Sequence, residues 1–244
     1  MKYKQTFIIN SFDVDMSKFA TPTMICAIMQ ESASRQCVDI GISVDDLEKY
    51  NQTWMLAKQY IKFSHYPAWR SSITVETWPR NKTGLRALRD FILRDEKGVE
   101  VARSVTNWML IDVNTRRLCK IDDVVKNLST AEESVMPEDF KIKVEKYDGD
   151  KITTIFRAKP SDFDMNSHVT SLSYIKWILD TVPFEFHRTK YVSELYAEYV
   201  EEISSEVDIE SIAYMKENSF YHELKNMQTG RIVFRGQTTW QAHS

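Results

Sequence analysis

Asp164, Asn166 and His168 stand at i, i+2 and i+4 within Pro160-Ser161-Asp162-Phe163-Asp164-Met165-Asn166-Ser167-His168-Val169. An apolar and aromatic run, Leu172, Tyr174, Ile175, Trp177, Ile178, Leu179 and Val182, follows at once. A carboxylate, a carboxamide and an imidazole can together orient a water, take its proton and return that proton to a leaving group, which is general acid–base chemistry. On extended backbone the three project to one side, whereas on a helix they fan out over about half the circumference. Pro160 disfavours helix immediately before the motif, and Asn and Ser are favoured helix caps. The expectation is an extended motif running into a helix from about Ser167 to Phe186. The same triplet also has a plain structural reading, an Asx turn followed by a cap.

The chain has 244 residues, 43% hydrophobic and 27% charged, the balance of a globular protein of one large or two ordinary domains. No apolar run approaches the ~20 residues of a membrane span, and Met1-Lys2-Tyr3-Lys4-Gln5 passes directly into the strand-like Thr6-Phe7-Ile8-Ile9, so a cytoplasmic location is expected. The three cysteines, Cys26, Cys37 and Cys119, form no CxxC pair and read as buried reduced thiols. A net charge of -3 excludes a generally basic nucleic-acid binder. Two local basic clusters, Arg80, Lys82, Arg86, Arg89 and Arg116, Arg117, Lys120, could meet an acidic partner or simply be solvated.

The elements that must position the motif recur twice. After the first strand, Pro22-Thr23 opens a long helical pattern with Met24, Ile25, Ile28, Met29 and Ala33 at helical spacing up to about Gly41. Apolar residues on more than one face suit a helix enclosed by a sheet. Strand-like runs follow at Trp54 to Phe63, Ile73 to Trp78, Leu85 to Arg94 and Val99 to Val113, and are expected to pair locally, the last two as a hairpin across Glu96-Lys97-Gly98. Residues 129–149 read as an acidic, turn-rich linker between a first domain, 1–128, and a second, 150–244. The order then restarts: strand Ile152 to Arg157, the motif, a helix, and strands near Leu195 to Ile203, Glu206 to Lys216, Ser219 to Lys225 and Arg231 to Trp240. An α+β duplication with antiparallel sheets is expected. A sequence echo sets Phe12-Asp13-Val14-Asp15-Met16 against Phe163-Asp164-Met165-Asn166-Ser167, with no histidine in the first copy.

With these elements in place the chain resembles the acyl-ACP thioesterase family. The resemblance is carried by Asp164-Met-Asn166-Ser-His168-Val169 with Tyr174-Ile-Lys-Trp177-Ile178, by Glu198-Tyr199-Val-Glu201-Glu202, and by Gly230-Arg-Ile-Val-Phe-Arg235-Gly236-Gln-Thr238-Thr-Trp240. In the first half Tyr66-Pro67-Ala-Trp69, Val75-Glu76-Thr77-Trp78-Pro79, and Trp108-Met-Leu-Ile-Asp112 with Thr115-Arg116-Arg117 also match, so it spans nearly the whole chain. It implies a double hotdog fold, catalytic roles for Asp164, Asn166, His168 and Glu202, hydrolysis of fatty acyl-ACP without a cofactor, and the acyl carrier protein as partner. Two positions depart from the family: Ile203 stands where plant members carry a cysteine, and Thr170-Ser171 stands where a pair of asparagines is usual. The first departure speaks against a covalent cysteine mechanism.

Thioester hydrolysis needs an activated water, a donor for the developing oxyanion and an apolar slot. Asn166 would position the water, Glu202 or His168 would activate it, and Asp164 would orient the motif, while a helix beginning near Ser167 would aim its N–H groups at the carbonyl. Taken alone, Glu202 lies in an acidic run (Glu198, Glu201, Glu202, Glu206) that usually marks a solvated strand edge. Met24, Ile25, Ile28 and Met29 could line the acyl slot or be plain core. The basic clusters are candidates for docking the carrier. No GxSxG, GxGxxG, P-loop or HExxH pattern is present, and the five histidines show no metal-ligand spacing. An acyl-CoA thioesterase, a hotdog hydratase and a non-catalytic acyl-thioester sensor are the alternatives, and pairing as a homodimer is compatible with all of them.

Overall fold

The computed structural model describes residues 2–121, 124, 134–136, 144, 146 and 149–242. The chain divides into two compact units, Met1–Asp139 and Phe140–Ser244. Most of the expected linker, 129–149, lies outside the described residues.

Unit 1 contains β1 (Tyr3–Ile8), α1 (Pro22–Asp39), α2 (Val44–Glu48), β2 (Gln52–Phe63), β3 (Ser72–Thr83), β4 (Arg86–Asp95) and β5 (Glu100–Asp112). Its strands follow the order β1-β3-β4-β5-β2, and every described pairing is antiparallel. The β4–β5 hairpin closes as its residues require: Asp95 Oδ1 accepts the Lys97 and Val99 amides, each at 2.9 Å, and Gly98 takes φ 78°. Strand pairing is less local than the sequence suggests, because β2 pairs with β5 and β1 with β3. The helix α1 packs on β1 and β3 and buries Ile25, Cys26, Met29 and Ser32 completely. Helix α2 lies outside the sequence expectation. Its signal was Ser43-x-x-Asp46, which forms a capping box ahead of the buried Leu47.

Unit 2 repeats the plan with β6 (Asp150–Arg157), α3 (Ser171–Asp180), α4 (Phe184–Thr189), β7 (Lys190–Tyr199), β8 (Asp208–Lys216), β9 (Ser219–Asn226) and β10 (Ile232–Ala242). The order β6-β8-β9-β10-β7 is the unit 1 order with each strand replaced by its counterpart. The single helix expected over 167–186 is two. α3 ends at Asp180, where Thr181 turns its hydroxyl back on the Trp177 carbonyl at 2.8 Å, and Pro183 then N-caps α4. The buried face of α3 carries Tyr174 and Trp177, packed with Tyr199, Phe234 and Phe156 at ring separations of 5.7–6.1 Å. These contacts tie α3 to the sheet that curves round it.

Within this core the ring of His222 is wholly buried, and its Nε2 lies 2.9 Å from Thr238 Oγ1. That oxygen already accepts the Trp240 indole N–H at 3.0 Å, so the threonine proton is directed to a neutral imidazole. Burial pushes the His222 pKa down to about 3. The folded value lies below the unfolded ~6.5, so the stability of the neutral ring is present above pH ~6.5 and lost as pH falls toward 3. One proton changes stability by ~1.4 kcal/mol per pH unit in that window. Urea unfolding of His222→Gln between pH 6.5 and 4 is expected to show a shallower pH dependence than wild type by about that slope; equal slopes would contradict the assignment.

Candidate active site

The motif is neither extended nor helical. Phe163 and Val169 form an antiparallel bridge, and between them residues 164–168 fold into a tight loop. The Asp164 amide donates to the His168 carbonyl at 2.8 Å, and the Ser167 amide donates to the Asp164 carbonyl at 3.0 Å. The Asp164 side chain does the rest: Oδ1 accepts the Asn166 amide at 2.8 Å and the His168 amide at 3.4 Å. The turn that results holds Ser167 at φ 60°, a left-handed conformation that only the surrounding bonds maintain in a non-glycine residue. The Asx turn expected of the triplet is formed.

Helix α3 begins at Ser171, with Thr170 as its cap, rather than near Ser167. The loop amides expected to face a carbonyl are committed internally, since Val169 N donates to Ile203 O and Thr170 N to Asp162 O, both at 2.8 Å. The four catalytic candidates then divide by environment. Asp164 is exposed, whereas Asn166, His168 and Glu202 are half-buried. Glu202 belongs to the irregular connector between β7 and β8 instead of the strand expected there. Its Oε2 lies 3.9 Å from His168 Nε2, with the side chains 33% and 24% exposed respectively. The neighbouring acids are tied to other partners, Glu201 to Arg231 at 3.3 Å and Glu206 to Arg157 at 2.7 Å, so the acidic run is not a uniform solvated edge.

Unit 1 contains the same loop. Asp15 Oδ1 accepts the Ser17 amide at 2.8 Å and the Phe19 amide at 3.2 Å, and Asp15 N donates to Phe19 O at 2.9 Å. Lys18 takes φ 64°, Val14 bridges Ala20, and Thr21 caps α1 through a 3.1 Å bond from Met24 N. The sequence echo therefore had the wrong register by two residues. Asp15, Ser17 and Phe19 are the counterparts of Asp164, Asn166 and His168. Ala20 N donates to Pro67 O at 2.9 Å as Val169 N does to Ile203 O, which places Tyr66 opposite Glu202. One copy carries asparagine and histidine on the loop; the other carries serine and phenylalanine.

A further residue, Asp162, went unnoticed in the sequence. It accepts Lys159 N and Ser173 Oγ, each at 2.9 Å, and joins the motif's entry to α3. Asp13 accepts Asn10 N at 2.8 Å in the counterpart position, so correct alignment of the halves was the missing signal. The slot candidates Met24, Ile25, Ile28 and Met29 are all buried on α1, at 0–8% exposure. The first basic cluster is not a surface cluster. Arg80 pairs with Asp90 at 3.1 Å in the interior, and Arg89 reaches Gln36 of α1 at 2.5 Å, because their strand positions point inward. Arg86 is exposed, and the side chain of Lys82 lies outside the described ones. Arg116, Arg117 and Lys120 are exposed. All three cysteines are free; burial pushes the Cys26 thiol up to about 12, which removes it as a nucleophile. Cys37 and Cys119 are half-buried rather than buried. Among the described residues no group of histidine, cysteine and acidic side chains could hold a metal, and no helix is long and apolar enough to cross a membrane.

Two units of one plan, the second with a histidine on its polar loop and a carboxylate 3.9 Å away on the β7–β8 connector, make a double hotdog. Residues 1–128 match the acyl-ACP thioesterase N-terminal domain and residues 145–242 the acyl-ACP thioesterase C-terminal domain. The chain belongs to the acyl-ACP thioesterase family. It is 26% identical to an oleoyl-acyl carrier protein thioesterase of Arabidopsis thaliana, over 99% of this chain and 77% of that one. It is 28% identical to an acyl-[acyl-carrier-protein] hydrolase of Cuphea viscosissima, over 99% of this chain and 63% of that one; both relatives are named as chloroplastic. Among solved structures, an acyl-ACP thioesterase from Bacteroides thetaiotaomicron superposes with TM-score 0.88 at 26% identity, covering 98% of each chain. The 12:0-ACP thioesterase from Umbellularia californica superposes with TM-score 0.90 at 22% identity, covering 99% of this chain and 98% of that one, and shows the same fold.

The paired loops yield a direct comparison. Asp15→Ala and Asp164→Ala each remove a side-chain acceptor from two loop amides, and each is expected to cost about 1 kcal/mol of stability. Only Asp164→Ala is expected to abolish thioester turnover, measured as thiol release. Loss of turnover in both, or in neither, would contradict the division of roles.

Proposed function

We propose that this chain hydrolyses fatty acyl-ACP to free fatty acid and carrier protein by direct attack of water, with unit 2 performing the chemistry. The observation that carries the reading is the approach of His168 Nε2 to Glu202 Oε2 at 3.9 Å, set against a first unit that has Phe19 and Tyr66 in those positions and Ser17 in that of Asn166. At 3.9 Å the two groups are too far apart for a direct hydrogen bond, yet both can reach one water placed ~2.8 Å from each.

In this mechanism Asn166 orients the water and the His168–Glu202 pair accepts its proton as the oxygen bonds to the thioester carbon. The tetrahedral intermediate collapses with cleavage of the C–S bond, and the proton passes to the departing thiolate of the carrier's prosthetic arm. Asp164 contacts neither reactant and holds Asn166 and His168 in place through their amides. The positive end of α3, three residues beyond His168, favours the charge that develops on the carbonyl oxygen. No acyl-enzyme is required: Cys26 is buried and protonated, and Ile203, itself buried, follows Glu202.

Met24, Ile25, Ile28 and Met29 are proposed to line the acyl slot in unit 1, where α1 carries flexible aliphatic side chains. The corresponding helix of unit 2 carries Tyr174 and Trp177 at the positions of Ile25 and Ile28 and is packed with aromatic rings. The exposed Arg116, Arg117 and Lys120 are proposed as a docking patch for the acidic carrier. A cytosolic location accords with three free cysteines; recovery of the native protein from an organelle fraction would contradict it.

Free-thiol release from a panel of acyl-ACP and acyl-CoA substrates, with His168→Ala and Glu202→Ala alongside, tests the reading. Wild type is expected to turn over acyl-ACP, and each substitution to reduce kcat by about 10²–10⁴-fold. Folded wild-type protein that binds these substrates without releasing thiol would replace hydrolysis by sensing or hydration. Ile28→Phe is expected to shift the preferred acyl chain to shorter lengths in the same panel, and an unchanged profile would remove Ile28 from the slot.

A further inference from the structure

Glu202 has no regular secondary structure to hold it. It lies in the connector that leaves β7 at Tyr199 and enters β8 at Asp208, so the separation of its carboxylate from His168 is set by whatever anchors that connector. Several bonds close to Glu202 do so. The Val200 and Glu201 amides both donate to the Val233 carbonyl, at 2.9 and 3.1 Å, and the Ile203 carbonyl accepts Val169 N at 2.8 Å. Arg231 pairs with the Glu201 side chain at 3.3 Å on the exposed rim. A further anchor is Tyr174, on the helix that follows the His168 loop. Its hydroxyl donates to the Glu201 carbonyl at 3.2 Å. One phenol oxygen thus holds the peptide that leads directly into Glu202.

The ring behind that oxygen has little freedom. Tyr174 is 3% exposed, and its centroid lies 5.9 Å from Trp177, 5.7 Å from Tyr199 and 5.9 Å from Phe234. Burial pushes the hydroxyl well above the usual phenol range, so it remains a donor wherever the enzyme is assayed. Three residues separate Tyr174 from the Thr170 cap, and the Ser173 side chain beside it is bonded to Asp162 at 2.9 Å. The helix turn that carries the phenol is therefore fixed to the loop that carries the imidazole.

We propose that Tyr174 is a positioning residue for the Glu202–His168 pair, clamping the peptide that enters Glu202 so that its carboxylate stays within reach of the imidazole and of one shared water; this rests on the hydrolytic role proposed above for that pair. Tyr174 acts through Glu202, and its contribution is geometric precision, where a displacement of ~1 Å can cost about 10²-fold in rate.

Tyr174→Phe removes the oxygen and leaves the ring in its aromatic setting. With acyl-ACP as substrate, kcat is expected to fall by about 10–100-fold with KM within about twofold of wild type. Tyr199→Phe is the control: it deletes a hydroxyl from the same aromatic cluster, one that donates to the Ser171 carbonyl at 3.4 Å, and it is expected to retain wild-type kcat. The His168 ring resonances, followed by NMR, are expected to move in Tyr174→Phe and to stay in Tyr199→Phe, a readout that global destabilisation would not reproduce. A kcat for Tyr174→Phe within twofold of wild type, or equal losses in both variants, overturns the clamp. Glu202→Ala in the same assay separates two failures. If it abolishes turnover while Tyr174→Phe does not, the clamp alone is wrong; if it turns over normally, the hydrolytic reading and the clamp fall together.

Discussion

The site depends on one carboxylate turned inward on its own loop. Asp164 accepts the amides of Asn166 and His168 and closes its own amide on the His168 carbonyl, so one residue fixes where two polar side chains start. Amides bonded to a carboxylate make stronger hydrogen bonds than neutral pairs, and here they hold Ser167 in a left-handed conformation that an isolated peptide would avoid. The bridge between Phe163 and Val169 and the bond from Val169 to Ile203 then attach the loop to the connector bearing Glu202. The loop is thereby held as one unit, with Asn166 and His168 half-buried on it.

Unit 1 shows that this architecture is independent of the chemistry it supports. Asp15 builds the same turn, with the same positive φ two residues before the bridge partner Ala20, and the loop leads into a helix capped by the equivalent threonine. Ser17, Phe19 and Tyr66 stand where unit 2 has Asn166, His168 and Glu202, and none of them can serve as a base at neutral pH. The two helices diverge in a complementary way: α1 presents isoleucine at positions 25 and 28 where α3 presents Tyr174 and Trp177. On the proposed reading, a single loop and helix plan supports catalysis in one unit and an aliphatic slot in the other.

Much of this was legible in the sequence. Alternation along the strands, the Glu96-Lys97-Gly98 turn and the restart of elements after the linker specify an antiparallel α+β duplication, because those signals arise from local chemistry. Other features depend on contacts distant in sequence. The pairing of β2 with β5 has no local signature, and the inward course of Arg80 and Arg89 follows from partners on other elements, Asp90 and Gln36. The helix expected over 167–186 overran at both ends: the apolar periodicity continues through Pro183, while the Asp164 turn delays the start to Ser171. The register of the echo slipped because residue identity aligns Phe12-Asp13 with Phe163-Asp164, whereas the hydrogen bonds align Asp15 with Asp164. Glu202 was found through family resemblance, since its place in an acidic run conceals its approach to His168.

The central claim is that His168 and Glu202 work as one unit. A double-mutant cycle on kcat, combining His168→Ala and Glu202→Ala under single-turnover conditions with acyl-ACP, tests it most directly. Cooperation predicts that the double variant is no slower than the slower single variant, with an interaction free energy nearly as large as either single effect. Additive losses, in which the two rate factors multiply, would mean that the groups contribute separately and that their approach in the structure has no catalytic meaning.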